Sequence, residues 1–478
     1  MKTDIHPDSW EAYDLLHKGT LALARAERQG IRIDMDYITH KKKELSKSII
    51  KLEEEFKEST FFKDWQKSSK KKVNINSSLQ LRDYLYKVLN LKIEKETKTG
   101  KGSTDEKALK QLNIPALDLL LKMGSLTKMR DTYLDGFAKE QVDGYIHPFF
   151  NLHIPVTYRS SADSPNFQNL PNRDDELMAI VRSAIYPRPD HQLYEFDFKG
   201  SEVRISCAYH KDPTLMKYLN DPTSDMHGDL AAQLFCIDKF FDPKIKEYYR
   251  LRQAAKNGFV FPQFYGSYFK NCAPSLLCDW GKLPASGKWK RGQGIPMPGG
   301  SFLADHLISK GFNQVGEVSR GEGGRNVITG FMKHVKVIED DFWKNRFPVY
   351  AKWKESWYEQ YQKKGYIDML TGFRCCGFMR KNDVTNYPIQ GASFHCLLWC
   401  LIKLDEFLLK GNYDSKIIGQ IHDSIVLDIN PKEADIVTKR LNIIVNDELP
   451  SAWRWINVPV EMEMQKYKIN GNWATKIN

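Results

Sequence analysis

Ile417-Ile418-Gly419-Gln420-Ile421-His422-Asp423-Ser424-Ile425-Val426-Leu427-Asp428-Ile429 is the stretch on which the fold turns. Two apolar, β-branched runs flank a polar His-Asp-Ser tip, the pattern of a hairpin with a carboxylate at its turn. A second carboxylate closes the run Gln192-Leu193-Tyr194-Glu195-Phe196-Asp197-Phe198, which alternates like a buried strand. A helical pattern through Val203, Ile205, Ala208 and Tyr209 follows it. Either aspartate alone reads as a turn former. Brought together from separate strands, the two carboxylates would repel one another unless divalent metal lay between them. That arrangement suits phosphoryl transfer, in which one ion activates the attacking oxygen and the other steadies the leaving group.

A basic helix supplies the complement. Arg252 and Lys256 stand four residues apart, so they share a helix face and can both reach a triphosphate. Phe261 and Tyr265, again four apart, offer a stacking surface for a base and sugar. In isolation the segment would read as a surface helix with a cationic stripe running into a core aromatic pair.

The bulk composition is compatible with this chemistry. The 478 residues are enough for two or three packed units, and 41% hydrophobic with 27% charged residues is ordinary for a soluble globular chain. Lysine and arginine number 71 against 60 acids, a net charge of +11 that points to a polyanionic partner. Residues 1–10 hold no apolar run, and no stretch reaches the roughly 18 to 20 apolar residues of a membrane span. Neither a secretory signal nor a membrane partner is expected, and the expected compartment is the cytoplasm. The eight cysteines form no repeated CxxC pattern and read as reduced thiols; Cys272 and Cys278 lack the spacing of a zinc knuckle.

Helical periodicity carries the first third. Apolar residues Ile38, Leu45, Ile49, Leu52 and Phe56 recur among five lysines, predicting a helix over 37–56. Ser77 or Ser78 is placed to cap a helix running through Leu81 and Leu85. Residues 97–105 are polar, glycine-bearing and basic: a loop able to grip phosphates through lysines and backbone N–H groups. Helices are predicted over 245–257 and 342–361. Residues 281–330, rich in Gly, Pro, Ser and Lys, read as a surface insertion, partly mobile.

Six ordered segments resemble DNA polymerase family A, the bacterial polymerase I type. Asp197-Phe198-Lys199-Gly200-Ser201-Glu202-Val203-Arg204 is similar to the family's motif A, Asp-Tyr-Ser-Gln-Ile-Glu-Leu-Arg; residues 252–266 to motif B; Gln420-Ile421-His422-Asp423 to motif C. Residues 158–171, ending Pro165-Asn166-Phe167-Gln168-Asn169-Leu170-Pro171, resemble Gly-Arg-Leu-Ser-Ser…Pro-Asn-Leu-Gln-Asn-Ile-Pro. Asn386-Tyr387-Pro388-Ile389-Gln390-Gly391 matches Asn-x-Pro-Ile-Gln-Gly, and Lys98-Thr99-Gly100 with Ser103-Thr104-Asp105 looks like a thumb tip.

The resemblance implies an α+β right-hand polymerase fold with an antiparallel palm sheet, helical fingers and a helical thumb. It divides the chain into 1–145 (N-terminal palm-joining segment and thumb), 146–210 (palm), 211–370 (fingers, with the insertion at about 281–330) and 371–478 (palm). The implied activity is DNA-templated extension of a primer by dNTPs. Asp197 and Asp423 would hold two Mg²⁺ ions, with the Phe198 carbonyl as a further ligand and Mn²⁺ as a substitute metal. Arg252, Lys256 and His227 would bind the triphosphate, Lys256 also protonating the departing pyrophosphate. Phe261 and Tyr265 would face the incoming nucleotide, and Glu202 would crowd its 2′ position. Arg159, Asn166, Gln168, Asn169, Asn386, Gln390, His422, Lys98 and Lys101 would contact primer–template DNA. A phenylalanine where Phe261 stands implies discrimination against dideoxynucleotides. The thumb-like pattern from Ala26 begins close to Met1, so proofreading is expected from a separate 3′–5′ exonuclease acting with other replication proteins, as in a phage-like system. The rival expectations are a single-subunit RNA polymerase relative, which Glu202 as sugar gate opposes, and an inactive primer–template binder, which the retained acids and cations oppose.

Three departures from the family pattern bear on the chemistry. Gly200 replaces a glutamine, Ser424 replaces the acid after the motif C aspartate, and Phe261 follows Lys256 by five residues where the family has four. One extra residue would turn Phe261 by about 100° on a regular helix, and Pro262 cannot donate within it. A π-bulge or kink over 257–261 is predicted to restore the register.

Overall fold

The computed structural model describes residues 9–93, 96–97, 99–171, 174–237, 242, 244–284, 287–321 and 325–477. The chain divides into two compact units, one of Met1–Ile49, Ser125–Asn220 and Val349–Asn478, the other of Ile50–Gly124 and Asp221–Pro348.

The first unit is built on a five-stranded antiparallel sheet. Its strands are β1 (Gln192–Phe198), β2 (Lys416–Ile421), β3 (Ser424–Ile429), β4 (Met462–Tyr467) and β5 (Lys476–Ile477), in the order β2-β3-β1-β4-β5. Alternation in β1 turns Tyr194, Phe196 and Phe198 to one buried face, while Leu193, Glu195 and Asp197 share the other. The β2–β3 hairpin forms as its two apolar runs dictate, with His422-Asp423 as the tip and His422 at φ +48°. A smaller sheet pairs Ile31–Ile33 with both Tyr145–Ile146 and Ile185–Tyr186. This pairing draws the N-terminal segment into the sheet-bearing unit.

Two helices cover the hairpin side. Lys381–Lys410 buries 18 of its residues, and Ser9–Gln29 packs against both it and β2. The helices touch closely at Gly19, where a Cβ would stand 2.8 Å from Leu398 Cδ2, and Arg25 joins Asp405 with Nε 2.9 Å from Oδ2. At the far edge, Trp473 donates its backbone N–H to Ile185 O, stacks on Phe167 and lies under the Arg182 guanidinium. Glu195, two residues before Asp197, is tied into this corner by Tyr467 (3.0 Å), Trp473 (3.3 Å) and Arg182 (3.3 Å).

The second unit contains a helical cluster around Phe56, Trp65, Tyr84, Leu85 and Leu109. Ser77 caps the helix Ser78–Asp83 by accepting the Gln80 N–H, and the helix predicted at 37–56 spans Met35–Glu58. The helix predicted at 342–361 is broken: a π-turn over Phe342–Arg346 ends at Phe347, and Pro348 starts a new helix, Pro348–Lys364. Proline at a first helical position explains the restart, because its missing N–H would have no partner there.

The insertion carries a packed segment of its own. Around Leu303–Ser309 its described residues bury Leu283, Trp289, Ile295, Leu303, Leu307 and Val315, and a hairpin pairs Val318–Arg320 with Asn326–Ile328. Glycine-rich composition concealed a small apolar core whose members follow no single period.

Two buried histidines make the sheet-bearing unit sensitive to acid. His395 packs against Phe373, shares a 2.7 Å hydrogen bond with Thr371 Oγ1, and is held by burial at about 3, against an ordinary 6.5. His210 stacks on Tyr350 and is also lowered to about 3, by burial and then by Lys354. The unfolded chain takes up these protons near pH 6.5 and the folded chain only near pH 3, so their contribution is complete above pH 6.5 and lost as pH falls. Each costs roughly 2 kcal/mol at pH 5. Denaturant titrations should show stability dropping by a few kcal/mol between pH 7.5 and pH 5, with a shallower drop in His395→Gln; equal slopes in the two proteins would contradict this account.

Candidate active site

An acidic cluster lies on the sheet of the first unit. Antiparallel pairing of β1 with β3 sets Ser424 directly opposite Asp197, and the Phe198 N–H donates to the Asp423 carbonyl at 2.9 Å. Paired residues of such strands are about 4.5 to 5.5 Å apart at Cα, so Asp197 and Asp423 are neighbours at one end of the strand pair. Asp197 is exposed and next to last in β1. Asp423 accepts a 2.7 Å hydrogen bond at Oδ2 from the Ser201 hydroxyl, and its Oδ1 lies 4.0 Å from Arg159 Nη2. Arg159 also pairs with Glu202, the second residue of the helix Ser201–His210. The turn into that helix is made by Gly200 at φ +59°, a conformation that strains a residue with a side chain.

Several predicted contacts converge on the same end of the sheet. Gln420 is buried; its Nε2 donates to the His422 carbonyl at 2.6 Å, while its Oε1 accepts from Ser160 and from Gln168, each at 2.6 Å. Gln168 is thus turned inward, its carboxamide bonded to the hairpin. Next to it, Asn166 and Asn169 are exposed, Asn166 Oδ1 accepting the Asn169 N–H at 3.1 Å. His422 is lowered below the usual imidazole range by burial and then by Arg159, with Asp423 opposing. Asn386 and Gln390, both half-buried, lie one turn apart on Lys381–Lys410.

A cationic cluster lies in the other unit. The helix Lys246–Ala255 runs into a π-turn over Lys256–Val260 and then into Phe261–Phe264. The Phe261 N–H bonds to the Lys256 carbonyl, five residues back. This wide turn absorbs the extra residue one position earlier than predicted, and it brings Lys256 Nζ within 5.2 Å of the Phe261 ring centre. His227 meets the same ring edge-on at 5.8 Å. Burial, followed by the charges of Arg252 and Lys256, holds His227 at about 3, so its imidazole is neutral at working pH. Arg252 Nε donates to Asp225 Oδ2 at 2.7 Å. Burial alone would raise the Asp225 carboxyl, but the bonds from Arg252 and the Gly228 N–H outweigh it and hold it low. Tyr265, 42% exposed, donates its backbone N–H to Phe261 O.

In the basic loop, Lys101 is exposed, and its N–H and carbonyl bond to Thr97; Lys98 lies outside the described residues. Ser160, Ser201 and Asp225 were not singled out from the sequence. Serine hydroxyls carry no periodic signal, and Asp225 lies 27 residues from the arginine it orients. Among the described residues no group of three or more His, Cys, Asp or Glu could hold a metal.

Comparison with known proteins matches the sequence pattern of DNA polymerase family A over residues 35–278 and 333–475, so the unmatched interval takes in the insertion. DNA polymerase I of Caldicellulosiruptor bescii is 26% identical over 450 residues, covering 93% of this chain and 45% of the relative. DNA polymerase I of Aquifex aeolicus is 26% identical over 457 residues, covering 95% of this chain and 65% of the relative. The chain spans about half the length of most of the curated relatives it matches. Among solved structures, the polymerase domain of Pol1 from M. smegmatis, in complex with DNA primer-template and dNTP, aligns with a TM-score of 0.71 at 22% identity, over 96% of this chain and 70% of that one. That likeness carries the fold, and the family match carries the kinship: it runs through both carboxylate strands and the basic helix and takes in most of the sequence, so this protein belongs to DNA polymerase family A.

Proposed function

We propose that the chain is a DNA-templated DNA polymerase that extends a primer 3′-hydroxyl with dNTPs. The observation that carries this reading is the β1–β3 register, which makes Asp197 and Asp423 neighbours across two strands. Their donor set fits Mg²⁺, because hard cations take oxygen ligands and two adjacent carboxylates need positive charge between them. Asp197, Asp423 and the Phe198 carbonyl would hold two such ions, with Mn²⁺ as a substitute. When bound, the ions supply charge stabilisation at the attacking and leaving oxygens.

The remaining roles belong to side chains. Arg252, oriented by Asp225, grips the triphosphate, and neutral His227 meets it as a hydrogen-bonding group rather than a charge. Lys256 gives a proton to pyrophosphate as the bond from O3′ to the α-phosphorus forms and the bond to the β-phosphate oxygen breaks. Glu202 crowds the sugar 2′ position, and Phe261 and Tyr265 face the nucleotide. Arg159, Asn386, Gln390 and His422 touch the minor groove, where correct pairs share their acceptors; Asn166, Asn169 and Lys101 hold the backbone. In this reading 1–145 is the N-terminal palm-joining segment and thumb, 146–210 and 371–478 the palm, and 211–370 the fingers.

Primer extension with Asp423→Ala should fall by at least roughly 100-fold while primer–template affinity stays near wild type, since phosphate contacts dominate binding. Extension at the wild-type rate would remove the proposal. Glu202→Ala should raise ribonucleotide incorporation relative to dNTPs; a wild type that already prefers rNTPs would favour an RNA polymerase instead. Wild type should use dideoxynucleotides poorly and Phe261→Tyr should use them well, and near-equal use by both would show that the π-turn does not put Phe261 at the sugar.

A further inference from the structure

Gly200 and Ser201 replace a Gln-Ile pair in the family's motif A, and the structure gives the serine a contact that isoleucine cannot make. Ser201 opens the helix Ser201–His210, is 3% exposed, and donates its hydroxyl to Asp423 Oδ2 at 2.7 Å. The left-handed turn at Gly200 delivers it there. The other serine beside the site does not compete: Ser424 Oγ donates to Ile421 O at 3.1 Å and lies 3.5 Å from Glu195. Asp423 is therefore held from motif A at two points, its carbonyl by the Phe198 N–H and its carboxylate by Ser201.

We propose that Ser201 is a positioning residue for metal binding, fixing the rotation of the Asp423 carboxylate so that Oδ1 stays available to an ion. The terminal torsion of an aspartate is soft, so the group needs an external restraint. Arg159 Nη2 already forms a long ion pair with Oδ1 at 4.0 Å, and a carboxylate free to turn can close on it. With serine rather than an acid at 424, the site has fewer oxygens to offset that loss. A hydrogen bond to a ligating carboxylate commonly changes metal affinity by about 10- to 100-fold.

The inference rests on the reading of Asp423 as a metal ligand, and the experiment separates the two. Mn²⁺ binding is followed by electron paramagnetic resonance on the protein with a dideoxy-terminated primer–template, beside the Mg²⁺ dependence of extension on an unblocked primer. Ser201→Ala should weaken Mn²⁺ binding about 10-fold or more and raise the Mg²⁺ needed for half-maximal extension in parallel, with primer–template affinity unchanged. Ser201→Thr, which keeps the hydroxyl, should restore both. Unchanged metal dependence in Ser201→Ala, or equal losses in the alanine and threonine variants, would overturn the proposal. If the alanine protein does not fold, Ser201→Cys, similar in shape but a poor donor, is scored the same way. A wild type that binds Mn²⁺ with no dependence on Asp423 would instead overturn the underlying reading.

Discussion

The hydrogen bond from the Phe198 N–H to the Asp423 carbonyl is the constraint on which the acidic site depends. Side chains on a strand alternate, so slipping β1 past β3 by one residue would send Asp197 to the buried face and bring Phe196 or Phe198 towards solvent. The apolar face of β1 forbids that slip: Tyr194, Phe196 and Phe198 are all buried. Hydrophobic burial thereby fixes a register whose chemical product is a pair of adjacent acids. The Glu195 corner adds a second lock, because its three donors come from Arg182, Tyr467 and Trp473, on either side of the strand in sequence.

The basic cluster follows a different logic. Its groups are charged, close together and largely on one helical stretch, so their mutual repulsion must be offset locally. Asp225 does this for Arg252, and the neutral state of His227 avoids adding a third positive charge beside Lys256. The chain thus places its negative groups by sheet register and its positive groups by helical pitch. Each depends on a geometric period that the sequence itself carries.

That difference explains what could be read in advance. Strands with alternating apolar residues, the hairpin tip at His422-Asp423 and the Arg252–Lys256 face all follow from spacing. The π-turn followed from a count, since five residues where four were expected leave one to be absorbed. Side-chain bonds between distant segments left no such trace: Ser160 to Gln420 spans 260 positions and Ser201 to Asp423 spans 222. The inward turn of Gln168 was hidden for a related reason, because an amide that faces outward and one that braces a hairpin look alike in one dimension. The core within 281–330 stayed hidden because its turns are glycine-rich and its apolar residues irregularly spaced.

The wide turn at Lys256–Val260 also has a geometric meaning. Hydrogen bonds reaching five residues back make a wider turn than those of the flanking α-helix. The stretch that carries the cations and the stretch that carries Tyr265 are therefore joined through a widened turn instead of one continuous α-helix.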